Sequence, residues 1–190
     1  GHLDCLKYAK ENGCPWNSSA CMYAAMIGNL NCLEYLHENG CPWNSETCLN
    51  AALWGHLDCL KYARENGCPW DSWTCYMAAH NGHLDCLKYA RENGCPWKDE
   101  CMFSNAASTC NYAAWHGHLD CLKYARENGC PWNETTCLCA AENGHLDCLK
   151  YTIENGCPYD VKKLITNDKE CQNYINSLTK TNVESCCLIQ

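Results

Sequence analysis

The chain has 190 residues, enough for one ordinary domain or a row of small repeated units, and a formal net charge of −8. That acidity works against any general attraction to nucleic acid, and no apolar run approaches the roughly 18 residues a membrane span requires. Cysteine is the outlier, at 22 residues, and its placement carries more information than its number.

Read from the start, the chain repeats itself. The string Gly-His-Leu-Asp-Cys-Leu, with the variant Gly-Asn-Leu-Asn-Cys-Leu at 28, opens at residues 1, 28, 55, 82, 117 and 144, so the spacing is 27, 27, 27, 35 and 27. Residues 55–70 and 82–97 are identical. A fixed period of this size predicts a solenoid, in which no repeat buries its own apolar face without a neighbour. The opening Gly1 falls inside a repeat, with no Met, which suggests the C-terminal part of a longer protein.

Each repeat reads as two short helices. In the third, Asp71 is an N-cap for a first helix over "SWTCYMAAHN", and a second helix runs from about Leu84 to Asn93 with Leu84, Leu87 and Ala90 as its apolar stripe. Gly94 supplies a left-handed stop and Pro96 cannot continue the helix. The Ala78, Ala79 pair lets the two helices approach closely, and Lys88 and Glu92 lie four apart as a solvent-side pair. Seventeen cysteines occupy three recurring slots: after "HLD" (Cys86), before Pro (Cys95) and ahead of the alanine pair (Cys75). Such recurrence predicts free, mostly buried thiols in a reducing cytoplasm rather than a disulfide scaffold. The aromatic slot of Trp16, Trp43, Trp70, Trp97, Trp132 and Tyr159 predicts a stacking ladder in the core.

The string "TCYMAAHNGHLDCLKYARENG" resembles the ankyrin repeat, with Thr74, Ala78, Ala79, Gly82, His83, Leu84, Leu87 and Gly94 at matching positions and Cys75 where the family places Leu. The resemblance covers residues 1 to about 160 and looks like the short arrays of large DNA viruses and some protists. It implies an all-α solenoid of ankyrin-like helix pairs. Against the family's period of about 33, the six residues missing here fall where its β-hairpin fingers lie, so the array is expected to lack them. The resemblance also implies a protein-binding scaffold or adaptor that performs no catalysis, needs no cofactor, and is a monomer with an unknown protein partner. The expected organisation is an array over 1–160, a capping helix region over 161–180 and a polar tail over 181–190.

In the family, the pair after the double alanine projects from the concave face and varies with the ligand. Here those pairs are Met26 and Ile27, Leu53 and Trp54, His80 and Asn81, Trp115 and His116, and Glu142 and Asn143. They differ in every repeat while their neighbours stay fixed, which makes them candidate partner contacts; additional core is the competing reading for Trp54 and Trp115. Eight extra residues between Trp97 and Gly117 lengthen a helix or form a loop, and present Met102 and Phe103 as further candidates.

Two other classes stay open. His83 and Cys86 are one helical turn apart, a spacing that can hold metal, yet no paired Cys-x-x-Cys knuckle exists, and no metal site is expected; a thiol-rich metal or redox buffer is the alternative. No unique triad of catalytic residues stands out, since the His and Cys recur in equivalent slots. The tail beyond Asp160 is amphipathic through Leu164, Ile165, Cys171, Tyr174, Ile175 and Leu178. The chain ends "CCLIQ", in which Cys187 fits a prenylation pattern and Cys186 a palmitoylation site; a membrane-tethered adaptor, at a membrane only if Cys187 is prenylated, stands against a bland polar terminus.

Overall fold

The computed structural model describes residues 2–97 and 108–187, with side chains through residue 179. Two compact units, Gly1–Cys101 and Met102–Gln190, each form a helix-pair array, and among the described residues there is no strand. The N-terminal array holds α1 (Leu3–Glu11), α2 (Ser18–Met26), α3 (Leu30–Glu38), α4 (Ser45–Leu53), α5 (Leu57–Glu65), α6 (Ser72–His80) and α7 (Leu84–Glu92). The C-terminal array holds α8 (Thr109–Trp115), α9 (Leu119–Glu127), α10 (Glu134–Glu142), α11 (Leu146–Glu154) and α12 (Lys169–Cys187).

Local chemistry sets the helix limits. The side chains of Asn17, Asn44 and Asp71 accept from the amides of Ser19, Glu46 and Trp73 at 3.1, 3.1 and 3.0 Å, so each first helix begins at a capped end worth about 1 kcal/mol. Each second helix ends on an Asn whose amide donates to the Tyr carbonyl four residues back, as Asn66 does to Tyr62 at 2.9 Å. Gly67 then takes φ +83°, a conformation that costs an L-residue about 1–2 kcal/mol.

First helices stack on first helices, α2 on α4 and α4 on α6, and likewise α8 on α10. Ala51 and Ala52 are fully buried, as are Ala78 and Ala79, and these small side chains bring each first helix close to its second helix. Leu60, Leu87, Leu122 and Leu149 fill the space between. Helix α1 has the second-helix pattern but buries no residue.

The described cysteines are free, and all but Cys5 and Cys14 are buried. They do more than fill space. The thiols of Cys41, Cys68 and Cys95 donate to the carbonyls of Asn17, Asn44 and Asp71 at 3.3, 3.2 and 3.1 Å, tying the end of each second helix to the start of the first helix of its pair. Cys157 does the same to Asn133 at 3.2 Å.

The aromatic ladder forms, but not in the core: only Trp97 of the described rings in that slot is buried. Each Trp meets edge-on the Tyr of the following second helix, Trp16 with Tyr35, Trp43 with Tyr62 and Trp70 with Tyr89, at 6.1, 6.3 and 6.3 Å between centroids. Its other face is covered by a cation from the preceding helix end: Lys10 over Trp16 at 4.3 Å, Arg64 over Trp70 at 4.4 Å. At Trp43 the cation is replaced by His37, stacked at 3.9 Å. The water-facing charge keeps the ring half-exposed. Lysines of the second helices reach the next repeat, Lys61 lying over Tyr89 at 5.9 Å and Lys123 over Tyr151 at 5.8 Å.

Helix α12 continues this scheme. Lys150 lies over Tyr174 at 5.8 Å, as Lys123 lies over Tyr151, and Cys171 is buried like Cys148. Asp168 accepts from the Cys171 amide at 2.8 Å and sits against Gly144, where other repeats place a histidine. The sequence from Asp160 to α12 is therefore a further repeat whose first helix has shrunk to a turn.

A candidate interaction surface at the helix turns

The turn joining first and second helix in each repeat has a rigid base. Gly28 and Gly55 take φ +70° and +74°, and the imidazoles of His56 and His83 from the next repeat lie directly over them. In the C-terminal array His145 covers Gly117, and its Nε2 lies 2.9 Å from the carbonyl oxygen of Trp115. The histidine thus serves the contact between repeats rather than its own turn. In the N-terminal array Asn81 also donates to the Leu53 carbonyl at 2.6 Å. Successive turns are locked side by side, and the varied residues stand on that edge.

Ile27 and Trp54 are 50% and 54% exposed, with Met26 and Leu53 half-buried behind them. His80 is half-buried, with Nδ1 3.1 Å from Oδ1 of the exposed Asn81. On the C-terminal array Trp115 is 46% exposed, His116 is half-buried, and Glu142 and Asn143 are exposed. Neither Trp54 nor Trp115 has become core. Met102 and Phe103 lie outside the described residues, as does the question whether residues 98–107 form helix or loop. Helix α12 ends at Cys187, but the side chains of Cys186 and Cys187 lie outside as well.

The structure adds Tyr23, 56% exposed and one helical turn before Ile27. Together with Cys5, Leu6, Ala9, Ala24 and Ile27 it lines an apolar groove of about 350 Å³ between α1 and α2. The residue directly before the alanine pair, two places after the recurring cysteine, varies too, through Tyr23, Asn50, Met77, Tyr112 and Cys139, and that variation was a signal available in the sequence.

The thiols that follow each His-Leu-Asp offer little chemistry. Burial pushes the Cys59 thiol up to about 11, with the carboxylates of Asp58 and Glu34 adding to it. Burial and the adjacent Asp85 push Cys86 to about 12, and Cys121 and Cys148 reach the same value beside Asp120 and Asp147. A thiol held protonated is a poor nucleophile and a poor metal ligand. Among the described residues no three His, Cys, Asp or Glu side chains converge as a metal ion would require. Nor is any helix there long and apolar enough to cross a membrane.

Comparison with known proteins gives consistent matches. The family model described as ankyrin repeats (3 copies) matches residues 1–74, and that described as ankyrin repeats (many copies) matches residues 105–151. No curated protein sequence matches significantly. Among solved structures, the crystal structure of the human ASB11 ankyrin repeat domain is similar with a TM-score of 0.62 and 23% identity, over 73% of this chain and 69% of that one.

Proposed function

Because the chain belongs to the ankyrin-repeat family, whose members mediate protein–protein interaction, we propose that it is a binding scaffold that engages one protein partner through the concave face carrying the varied turn residues. One observation carries this reading: among the residues that differ between repeats, Ile27, Trp54 and Trp115 are large, apolar and exposed, whereas their fixed neighbours Ala25, Ala52 and Ala114 are buried. Large apolar side chains held in water on the turns of each array cost solvation that a partner recovers, and Trp is a frequent hot-spot residue. The fold family is a non-enzymatic scaffold, and the burial of the thiols, with Cys59, Cys86, Cys121 and Cys148 held protonated, weighs against a metal or redox buffer. The same free thiols suit a reducing compartment, which supports placement in the cytoplasm.

The test is affinity capture from the native cell type with the unaltered chain and with an Ile27→Ala, Trp54→Ala, Trp115→Ala variant, both checked for helicity by circular dichroism. Capture of a protein that is lost with the variant supports the reading. An identical captured set from both removes the turn residues from the site.

A further inference from the structure

Each second helix runs out into the same dipeptide. Asn12, Asn39, Asn66, Asn93, Asn128 and Asn155 are each followed by glycine, and all six are exposed. Asn-Gly is the sequence that loses its side-chain amide to water most readily, because glycine has no side chain to hinder its own nitrogen from attacking the asparagine Cγ. The surroundings leave that approach open: a Cβ added to Gly67 or Gly94 meets nothing within 4 Å.

The folded helix end holds the reaction off in three ways. Each Asn Nδ2 donates to the carbonyl of the Tyr four residues back at 2.8–2.9 Å, which draws Cγ along the helix and away from the glycine. Each glycine N–H donates to the carbonyl three residues before it at 2.9–3.2 Å, so the attacking nitrogen keeps its proton. The Asn ψ angles lie between 12° and 22°, whereas closing a five-membered ring requires the glycine nitrogen to eclipse the Asn Cβ about the Cα–C bond. Asn81-Gly82 and Asn143-Gly144 repeat the dipeptide at first-helix ends, with Nδ2 bound to the Leu53 and Cys139 carbonyls at 2.6 and 2.9 Å. These constraints last only while the helix end stays folded. Helix α1 buries no residue, whereas α3, α5, α7, α9 and α11 bury three each, and segments with few buried contacts open most often.

We propose that the six helix ends are deamidation sites latched by the fold: Asn12 reacts in the folded chain, and each of the other five reacts only when its own repeat opens. In the open state the Gly13 amide loses its proton to solvent and its nitrogen bonds to Asn12 Cγ. The Cγ–Nδ2 bond then breaks and the amide leaves as ammonia, its added proton supplied by water. A second water opens the ring at either carbonyl and leaves Asp or its β-linked isomer. Neither product restores the cap. A carboxylate has no proton for the Tyr8 carbonyl, its charge opposes the negative end of the helix, and the β-linked form lengthens the backbone by a methylene. A repeat that has opened is thereby kept from closing fully.

The full chain is incubated at mildly alkaline pH in buffer and in urea, digested, and each Asn-Gly peptide followed by mass spectrometry for the gain that turns an amide into an acid. In urea the six steps should convert at similar rates. In buffer Asn12 should stay within severalfold of its rate in urea, while Asn93 should fall on the order of tenfold or more below its own. Conversion of Asn93 as fast in buffer as in urea shows that no latch exists and overturns the proposal, as does an Asn12 no faster than Asn93 in buffer. The consequence is read from Asn93→Asp, whose urea midpoint should lie below that of the unaltered chain; an unchanged midpoint means that the modified end closes again and overturns the lasting opening.

Discussion

The imidazole of His83 occupies the place a side chain on Gly55 would need: a Cβ built there lies 2.5 Å from His83 Nδ1. The same relation joins His56 to Gly28 and His145 to Gly117. Glycine is required in this slot for its φ of +74° and for the ring above it, whereas Gly67, at φ +83°, has nothing within 4 Å. Gly67→Ala should therefore cost about 1–2 kcal/mol, the left-handed penalty alone. Gly55→Ala should cost more, and the excess should disappear in Gly55→Ala, His83→Ala. Urea denaturation of the unaltered chain, Gly55→Ala, His83→Ala and the double variant forms a double-mutant cycle that measures it.

The cation, Trp and Tyr ladder makes a second prediction. Arg64 sits 4.4 Å over Trp70, which meets Tyr89 edge-on. Arg64→Ala should destabilise by about 0.5–1 kcal/mol and Arg64→Lys by less. Trp70→Ala should cost about 2–3 kcal/mol, since it removes a large half-buried ring from the junction of two repeats. Equal effects for Arg64→Ala and Trp70→Ala would show that the cation, not the ring, joins the repeats.

Alkaline pH should unfold the protein. Cys59, pushed up to about 11, and Cys86, Cys121 and Cys148, pushed up to about 12, hold protons in the folded state that the unfolded chain releases near its ordinary thiol value. Their stabilising contribution is complete below about pH 9 and is lost as pH climbs through the folded values, at about 1.4 kcal/mol per pH unit for each thiol. Urea midpoints at about pH 8 and about pH 10.5 should differ accordingly, and Cys86→Ala should reduce the slope.

Thiol labelling gives a fourth test. Among the described cysteines only Cys5 and Cys14 are exposed. Peptide mapping after a short pulse of iodoacetamide on the folded chain should find these two modified and Cys48, Cys68 and Cys110 untouched. Modification of the buried set at a rate comparable to Cys14 would mean that the repeats open on that timescale.

Much of the architecture was legible because its signals are local. Asp71, Gly94 and Pro96 bound the third pair's helices within a few residues of where α6 and α7 begin and end. Contacts between repeats were not legible, since their partners lie 27 or more residues apart and a single sequence shows only that both recur. That is why the cover Lys61 gives Tyr89 went unread, and why the Trp slot read as core. The helix after residue 160 was legible as a cap, but its kinship to the repeats was hidden for another reason. Asp168 replaces histidine at its start, and the turn before it is too short to keep the alanine pair, so only the spacing of Cys171 and Tyr174 preserves the repeat. Among the site residues, the variation was visible in the sequence, but whether Trp54 faced water or its neighbours depended on packing.

The ladder and the histidine contacts have a consequence for how such a chain changes over time. The groups that cross from one repeat to the next, Arg64 and Trp70 toward Tyr89 and His83 toward Gly55, belong to fixed slots. A duplicated block of 27 residues therefore meets, on both sides, the neighbours it already fits. The number of repeats can change by unequal crossover without any new interface having to arise, and each added copy brings one more turn whose two variable residues are free to diverge.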